Sequence, residues 1–279
     1  MNADRRRELT RREALAAGLA TAGALALGRA GLAADSANDS DYGPFKMGIQ
    51  SYSLREFKYH EALNKTKALG LHYWEAWNGH LPAVASKADE SRELAERHGV
   101  KIRGYGVIGM GKDHDANRKT FEFGKALGLD YFSIAPTAGA FDSLDKLVEE
   151  YGIAVGIHNH GPGDHFAKID TIFDAIKGHS EKIGACIDTG HFLRSKEDPV
   201  RAAEVFGKRI YGVHLKDVKD ATKFTVLGEG DLRLAEFLKV LAKLNYKDNV
   251  AIEYEENPKD PMADIKASLG AVKKAVAQI

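Results

Sequence analysis

From Lys46 onward one unit recurs eight times: a short apolar run, a loop, and a longer stretch whose apolar residues fall at helical spacing. The runs are KMGIQSY, LHYWEAW, KIRGYGVI, DYFSIAP, IAVGIHNH, IGACIDTG, IYGVHLKD and VAIEYE. Stretches such as EALNKTKALG, SRELAERHG and TFEFGKALG separate them. Gly70, Gly99, Gly128, Gly152, Gly178 and Gly207 stand where the helices should stop. Strands that alternate with helices pair in parallel, and eight such units in roughly 235 residues match a closed (β/α)8 TIM barrel. The competing arrangement is a doubly wound open sheet, but its first strand-to-helix loop, SYSLREFKYH, lacks the glycine-rich dinucleotide fingerprint. No linker or low-complexity segment interrupts residues 43–279, which read as a single domain.

Residues 1–34 read differently. A cationic start containing Arg11 and Arg12 leads into an apolar run and then into small residues, the order of a secretory leader. Residues 10–15 resemble the twin-arginine type, and cleavage is expected after Ala30, Ala33 or Ala34. The expected product is a periplasmic or secreted protein. Cys186 is the sole cysteine, so no lipid-bearing cysteine ends the leader and no stable membrane anchor is expected; a buried structural thiol is the expected role. The 40 basic residues balance the 40 acidic ones, which argues against a nucleic-acid partner and leaves a small polar molecule as the easier fit.

In a TIM barrel the chemistry sits where the strands end. The fifth run ends in His158 and His160, the sixth in Asp188 with His191 beyond it, the seventh offers His214 and Lys216, and the eighth Glu253 and Glu255. Side chains alternate along a strand, so His158 shares a face with His160, and His214 with Lys216. Taking one group from each strand gives His158, Asp188, His214 and Glu253 as candidate metal ligands. Mixed imidazole and carboxylate donors suit one Mn²⁺, Co²⁺, Fe²⁺ or Zn²⁺ better than Ca²⁺. Taken singly, each has a plainer reading, such as Asp188 capping the next helix or Glu253 pairing with Lys216.

In this order and on these strands, GIHNHGP, CIDTGH, VHLKD, LGEGD and IEYE resemble the sugar phosphate isomerase/epimerase family of xylose-isomerase-like TIM barrels. The likeness spans essentially the whole chain after the leader, and NGHLP at residues 78–82 adds to it. It implies one divalent metal held at the ends of strands five to eight. Asp188, His214 and Glu253 match ligand positions, and His191 matches a histidine that contacts substrate. Many ketose epimerases of this family carry a glutamate where this chain has His158, and that glutamate works in a pair with the one on strand eight. A metal-bound imidazole is a poor general base, so simple two-carboxylate epimerisation is not expected.

The resemblance implies a sugar isomerase/epimerase acting through an enediolate formed next to a metal-chelated ketone. Glu253 is then base or ligand, and His160, His191 and Lys216 are candidate proton donors or acceptors. Gln50, Tyr52, Glu75, Trp77 and His80, on the first two strand ends and loops, join His191 as candidates for shaping the sugar pocket. A close alternative is a lyase or dehydratase that eliminates a β-leaving group from a 3-keto sugar or 3-keto glycoside, a substrate that an exported enzyme meets more readily than a sugar phosphate. A non-catalytic sugar-binding barrel is the alternative outside enzymology. LGEGD, residues 227–231, reads either as a nest for an anionic group or as a turn whose Asp231 caps the next helix.

Overall fold

The apolar runs form strands and the amphipathic stretches form helices in a computed structural model that describes residues 39–279. The segment read as a leader, residues 1–34, lies outside the described residues. The first half of the barrel is β1 (Lys46–Gln50), α1 (Tyr59–Ala68), β2 (Tyr73–Ala76), α2 (Ala88–Arg97), β3 (Lys101–Met110), α3 (His114–Leu127), β4 (Tyr131–Pro136) and α4 (Phe141–Tyr151). The second half begins with β5 (Ala154–His158), α5 (Ile169–Ile176), β6 (Ile183–Asp188), α6 (Thr189–Arg194), α7 (Pro199–Phe206) and β7 (Ile210–Leu215). A hairpin of β8 (Asp217–Lys219) and β9 (Lys223–Thr225) then precedes α8 (Leu234–Lys243), β10 (Asn249–Ile252) and α9 (Met262–Val276). The ring β1-β10-β7-β6-β5-β4-β3-β2 closes with parallel pairing throughout, which is the expected (β/α)8 barrel.

Local chemistry explains the boundaries. Every residue of β5 and β6 is buried, as a parallel strand covered on both faces requires. The Asp113 carboxylate accepts the amides of Asp115 (3.0 Å) and Ala116 (3.1 Å) to start α3, and Gly128, at φ 78°, ends it in the left-handed conformation a side chain would disfavour. All six glycines read as helix stops have positive φ.

Two other glycines matter through close approach. A Cβ at Gly104 on β3 or Gly212 on β7 would collide with the Tyr131 ring, so their bareness lets Tyr131 cross the barrel interior. Its hydroxyl thereby reaches Glu75, 2.7 Å away.

The loop at residues 227–231 does present amides to an anion, and the anion is the chain's own. Asp217 accepts the amides of Gly228 (2.9 Å), Gly230 (3.1 Å) and Leu232 (2.9 Å). Asp231 does not cap α8, whose start at Arg233 carries no side-chain cap; it accepts the Ala221 amide instead. The capping reading of Asp231 is therefore corrected, while the nest reading holds with an internal carboxylate as the anion.

Candidate active site

Four barrel strands deliver one donor each to a common point at the C-terminal end. His158 closes β5, Asp188 closes β6, His214 lies one residue from the end of β7, and Glu253 follows β10. One ligand atom from each lies within 4.8 Å of the others, and all four residues are buried. His158 Nε2 is 3.1 Å from His214 Nδ1 and 3.5 Å from Asp188 Oδ2. His214 Nδ1 is in turn 3.0 Å from Glu253 Oε2. Asp188 divides its oxygens: Oδ1 accepts the His191 amide at 2.7 Å and caps α6, while Oδ2 turns into the cluster. The capping role and the candidate ligand role thus coexist.

This donor set fits a divalent cation. Asp188 Oδ2 and Glu253 Oε2, both turned into the cluster, are buried without an aligned hydrogen-bond partner, a state that costs roughly 1–3 kcal/mol per group or more unless a charge offsets it. Three carboxylates, those of Asp188, Glu253 and Glu255, face the Lys216 ammonium, leaving a surplus of negative charge that one divalent ion would neutralise. Two imidazoles and two carboxylates are the ligation suited to a first-row transition ion.

Glu75, expected in the sugar pocket, lies elsewhere. It is fully buried behind His214, with Oε2 accepting from His214 Nε2 (2.9 Å) and the Tyr131 hydroxyl, and Oε1 from Gln50 Nε2 (2.9 Å) and the Ser133 hydroxyl. The pocket assignment is corrected: Glu75 engages one ring nitrogen of His214 and leaves the other facing the cluster, as an outer-shell carboxylate does. Burial opposes its charge, but His214 and the hydroxyl donors outweigh burial and hold the carboxyl below its usual range. Glu75, Cys186 and His214 form a second grouping of donors that shares His214. Burial pushes the Cys186 thiol up to about 12, and all of the Glu75 oxygens already have donors, so this grouping is the poorer metal site.

Lys216 Nζ lies 2.9 Å from Asp188 Oδ2 and 3.2 Å from Glu253 Oε2, and also pairs with Glu255. Burial disfavours its charge, yet these three carboxylates raise its pKa above the usual lysine value. In return, Lys216 and His214 hold Glu253 below the carboxylate range, and Lys216 and His191 hold Asp188 well below it, both against burial. Burial pushes His191 down to about 3, so its ring is neutral at physiological pH.

A cavity of about 370 Å³ opens onto this cluster. Gln50, Tyr52 and Trp77 line it, with the last two rings edge to face at 5.2 Å. His158, His160 and His191 also line it, as do Glu253 and Glu255. His160 and His191 lie 5.6 Å apart between ring centroids. Lys216 does not line the cavity but stands behind its carboxylates. His80 is also absent from the lining, and its pocket assignment is corrected. Its Nδ1 meets Ser51 Oγ at 3.0 Å, its Nε2 meets the carbonyls of Phe57 (3.0 Å) and Leu54 (3.2 Å), and its ring stacks on Trp74. Gly106 and Val107 of β3 complete the lining. Neither was a sequence candidate, because small apolar residues in a strand carry no chemical signal.

A family profile described as Xylose isomerase-like TIM barrel matches residues 63–275. Inosose dehydratase 2 of Bacillus cereus is 31% identical over 141 residues, which is 43% of this chain and 47% of that protein. The match thus spans about half the length of the first curated relatives. Inosose dehydratase of Clostridium beijerinckii is 24% identical over 252 residues, 77% of this chain and 83% of that one. Among solved structures, an uncharacterised protein from Parabacteroides distasonis superposes with a TM-score of 0.66 at 28% identity, covering 83% of this chain and 99% of its own. A 3-keto-D-glucoside 4-epimerase from E. coli superposes with a TM-score of 0.66 at 15% identity over 82% of this chain and 99% of its own, a likeness of fold alone.

Proposed function

The chain belongs to the xylose isomerase-like TIM barrel family, and from that premise we propose a metal-dependent lyase that eliminates a β-leaving group from a keto sugar or keto glycoside. The observation that carries this reading is the asymmetry of the cavity. Carboxylates enter it from the β10 end alone, whereas the β5 and β6 ends supply imidazoles. One base and one acid suffice for elimination, while a paired-carboxylate exchange would need a second carboxylate at His158. The name of the matched relatives, inosose dehydratase, points the same way.

His158, Asp188, His214 and Glu253 would hold the divalent ion. Such an ion supplies Lewis acidity to a ketone and its neighbouring hydroxyl, which acidifies the hydrogen on the carbon beside the carbonyl. Glu253 is committed to the cluster, so Glu255, paired with Lys216 and facing the cavity, takes that proton. The electron pair left on carbon forms the new double bond and expels the β-substituent, whose oxygen receives a proton from His160, a cavity-lining imidazole. Tyr52 and Trp77 form an apolar wall on which a sugar ring packs. Export by the N-terminal segment would bring the enzyme to unphosphorylated substrates outside the cytoplasm.

A second reading, isomerase or epimerase, has its own support. His160 and His191 line the same cavity as the carboxylates, and an imidazole there could return a proton to the same carbon. One experiment separates the outcomes. Metal-loaded protein is incubated in D2O with a 3-keto glucoside and with a keto-inositol. Elimination releases the leaving group and produces a conjugated enone; isomerisation or epimerisation installs deuterium with the leaving group retained. Binding of either compound with neither change would overturn both enzymatic readings and leave a sugar-binding barrel.

A further inference from the structure

We infer that Lys216 is a built-in counter-cation that weakens the hold of the four-residue cluster on its divalent ion, with Glu255 drawing part of the ammonium's charge off the ligands. The inference rests on the metal reading above and concerns what this chain adds to it.

The ammonium shares its oxygens with the candidate site. Its 2.9 Å and 3.2 Å contacts are to Asp188 Oδ2 and Glu253 Oε2, the same atoms that converge with the imidazole nitrogens. It is also confined. A Cβ on Gly190 would sit 2.7 Å from Lys216 Cγ and 2.9 Å from its Cδ, so the stem runs tightly over that glycine. Thr189 Oγ1 pins the backbone by accepting the Lys216 amide at 2.9 Å and donating to its carbonyl at 2.7 Å. The Phe224 ring of the hairpin lies 5.2 Å from Nζ. Glu255, which follows β10, supplies the opposing pull.

Two cations that share buried oxygens repel each other, and in surroundings of low polarity the repulsion is large. The same ammonium offsets the carboxylates when no metal is bound. Lys216 therefore acts with opposite sign in the two states: it stabilises the metal-free protein and limits affinity for the ion. A purely structural ion pair would stabilise both states alike. The consequence is an exchangeable metal in a site whose ligands stay in place between occupants.

The test compares the full chain with Lys216→Met, which keeps an unbranched apolar stem, and with Glu255→Gln. Affinity for Mn²⁺ and for Zn²⁺ is read by chelator competition, and thermal unfolding is followed in EDTA. Lys216→Met should bind either ion at least about tenfold more tightly while unfolding at a lower temperature in EDTA. Glu255→Gln removes one of the three carboxylates that share the ammonium and leaves its charge to Asp188 and Glu253 alone, and should bind the ions severalfold more weakly. Should Lys216→Met fail to fold, the weakening in Glu255→Gln carries the test. Unchanged or weaker affinity in Lys216→Met, or unchanged affinity in Glu255→Gln, overturns the inference with the metal reading intact. Failure of the unaltered chain to bind either ion at millimolar concentration overturns both, and is recognised by its appearing before any substitution.

Discussion

Both oxygens of Glu75 are filled by four donors, one of them the His214 ring, in a part of the barrel that water does not reach. Glu75→Gln keeps the volume but turns one acceptor into a donor facing donors, and leaves His214 without its carboxylate. The expected cost is about 3–5 kcal/mol of stability, typical of breaking a buried charged pair, together with roughly 10–100-fold weaker metal binding. Thermal unfolding and chelator competition check the two effects; a residue that merely touched sugar would alter neither. His80 carries a separate prediction. Burial lowers its pKa below the usual histidine value against the pull of two carbonyls. The unfolded chain therefore takes up a proton that the folded chain resists, and stability falls as pH drops below about 6.5. His80→Asn should flatten that acid slope relative to the unaltered protein when unfolding is followed between about pH 7 and 5. An unchanged slope would assign the acid sensitivity to other groups.

At the scale of elements, the hairpin of β8 and β9 and the loop behind it are organised by one buried carboxylate, Asp217. Asp217→Asn retains the shape but replaces an oxygen that accepts the Gly228 and Gly230 amides, or the one that accepts Leu232, by a donor. A loss of about 1–3 kcal/mol is expected, concentrated locally: hydrogen exchange should accelerate across residues 217–232 while the barrel strands stay protected. The sequence reading did not name the anion of this loop because the nest is visible in GEG while its ligand lies eleven residues earlier and is folded back by the hairpin. The strands and glycine stops were legible because they are local, written in periods of 2 and 3.6 residues and in positive φ. The donors of the cluster were legible for a related reason. A residue at the C-terminal end of a barrel strand faces the site by fold alone, so His158, Asp188, His214 and Glu253 could be named from their strands. Glu75 and His80 could not be placed, because their environments depend on closure. Glu75, on β2, meets His214 of β7 across the interior, with β1 and β10 intervening in the ring. His80 is turned away from the cavity by the carbonyls of the 54–57 loop.

For the molecule as a whole, the cluster ties together the ends of β5, β6, β7 and β10, half of the strands in the ring. Glu75 extends that connection to β2, and through the Tyr131 and Ser133 hydroxyls to β4. A divalent ion that binds this assembled arrangement, with little affinity for the unfolded chain, must shift the unfolding equilibrium of the entire barrel. At a concentration one hundred times Kd the shift is about 2.7 kcal/mol. For a domain of this size that corresponds to a rise of about 5–10 °C in Tm. The rise should occur with Mn²⁺ or Zn²⁺, grow with the logarithm of free ion concentration, and reverse on adding EDTA. Asp188→Ala and Glu253→Ala should abolish the metal response, since each removes an oxygen from the cluster, and Glu75→Gln should displace it to higher ion concentration without abolishing it. Calorimetry across a metal titration of the four proteins makes the comparison. An equal rise in all of them would place the ion elsewhere on the molecule and separate the cluster from the stability of the barrel.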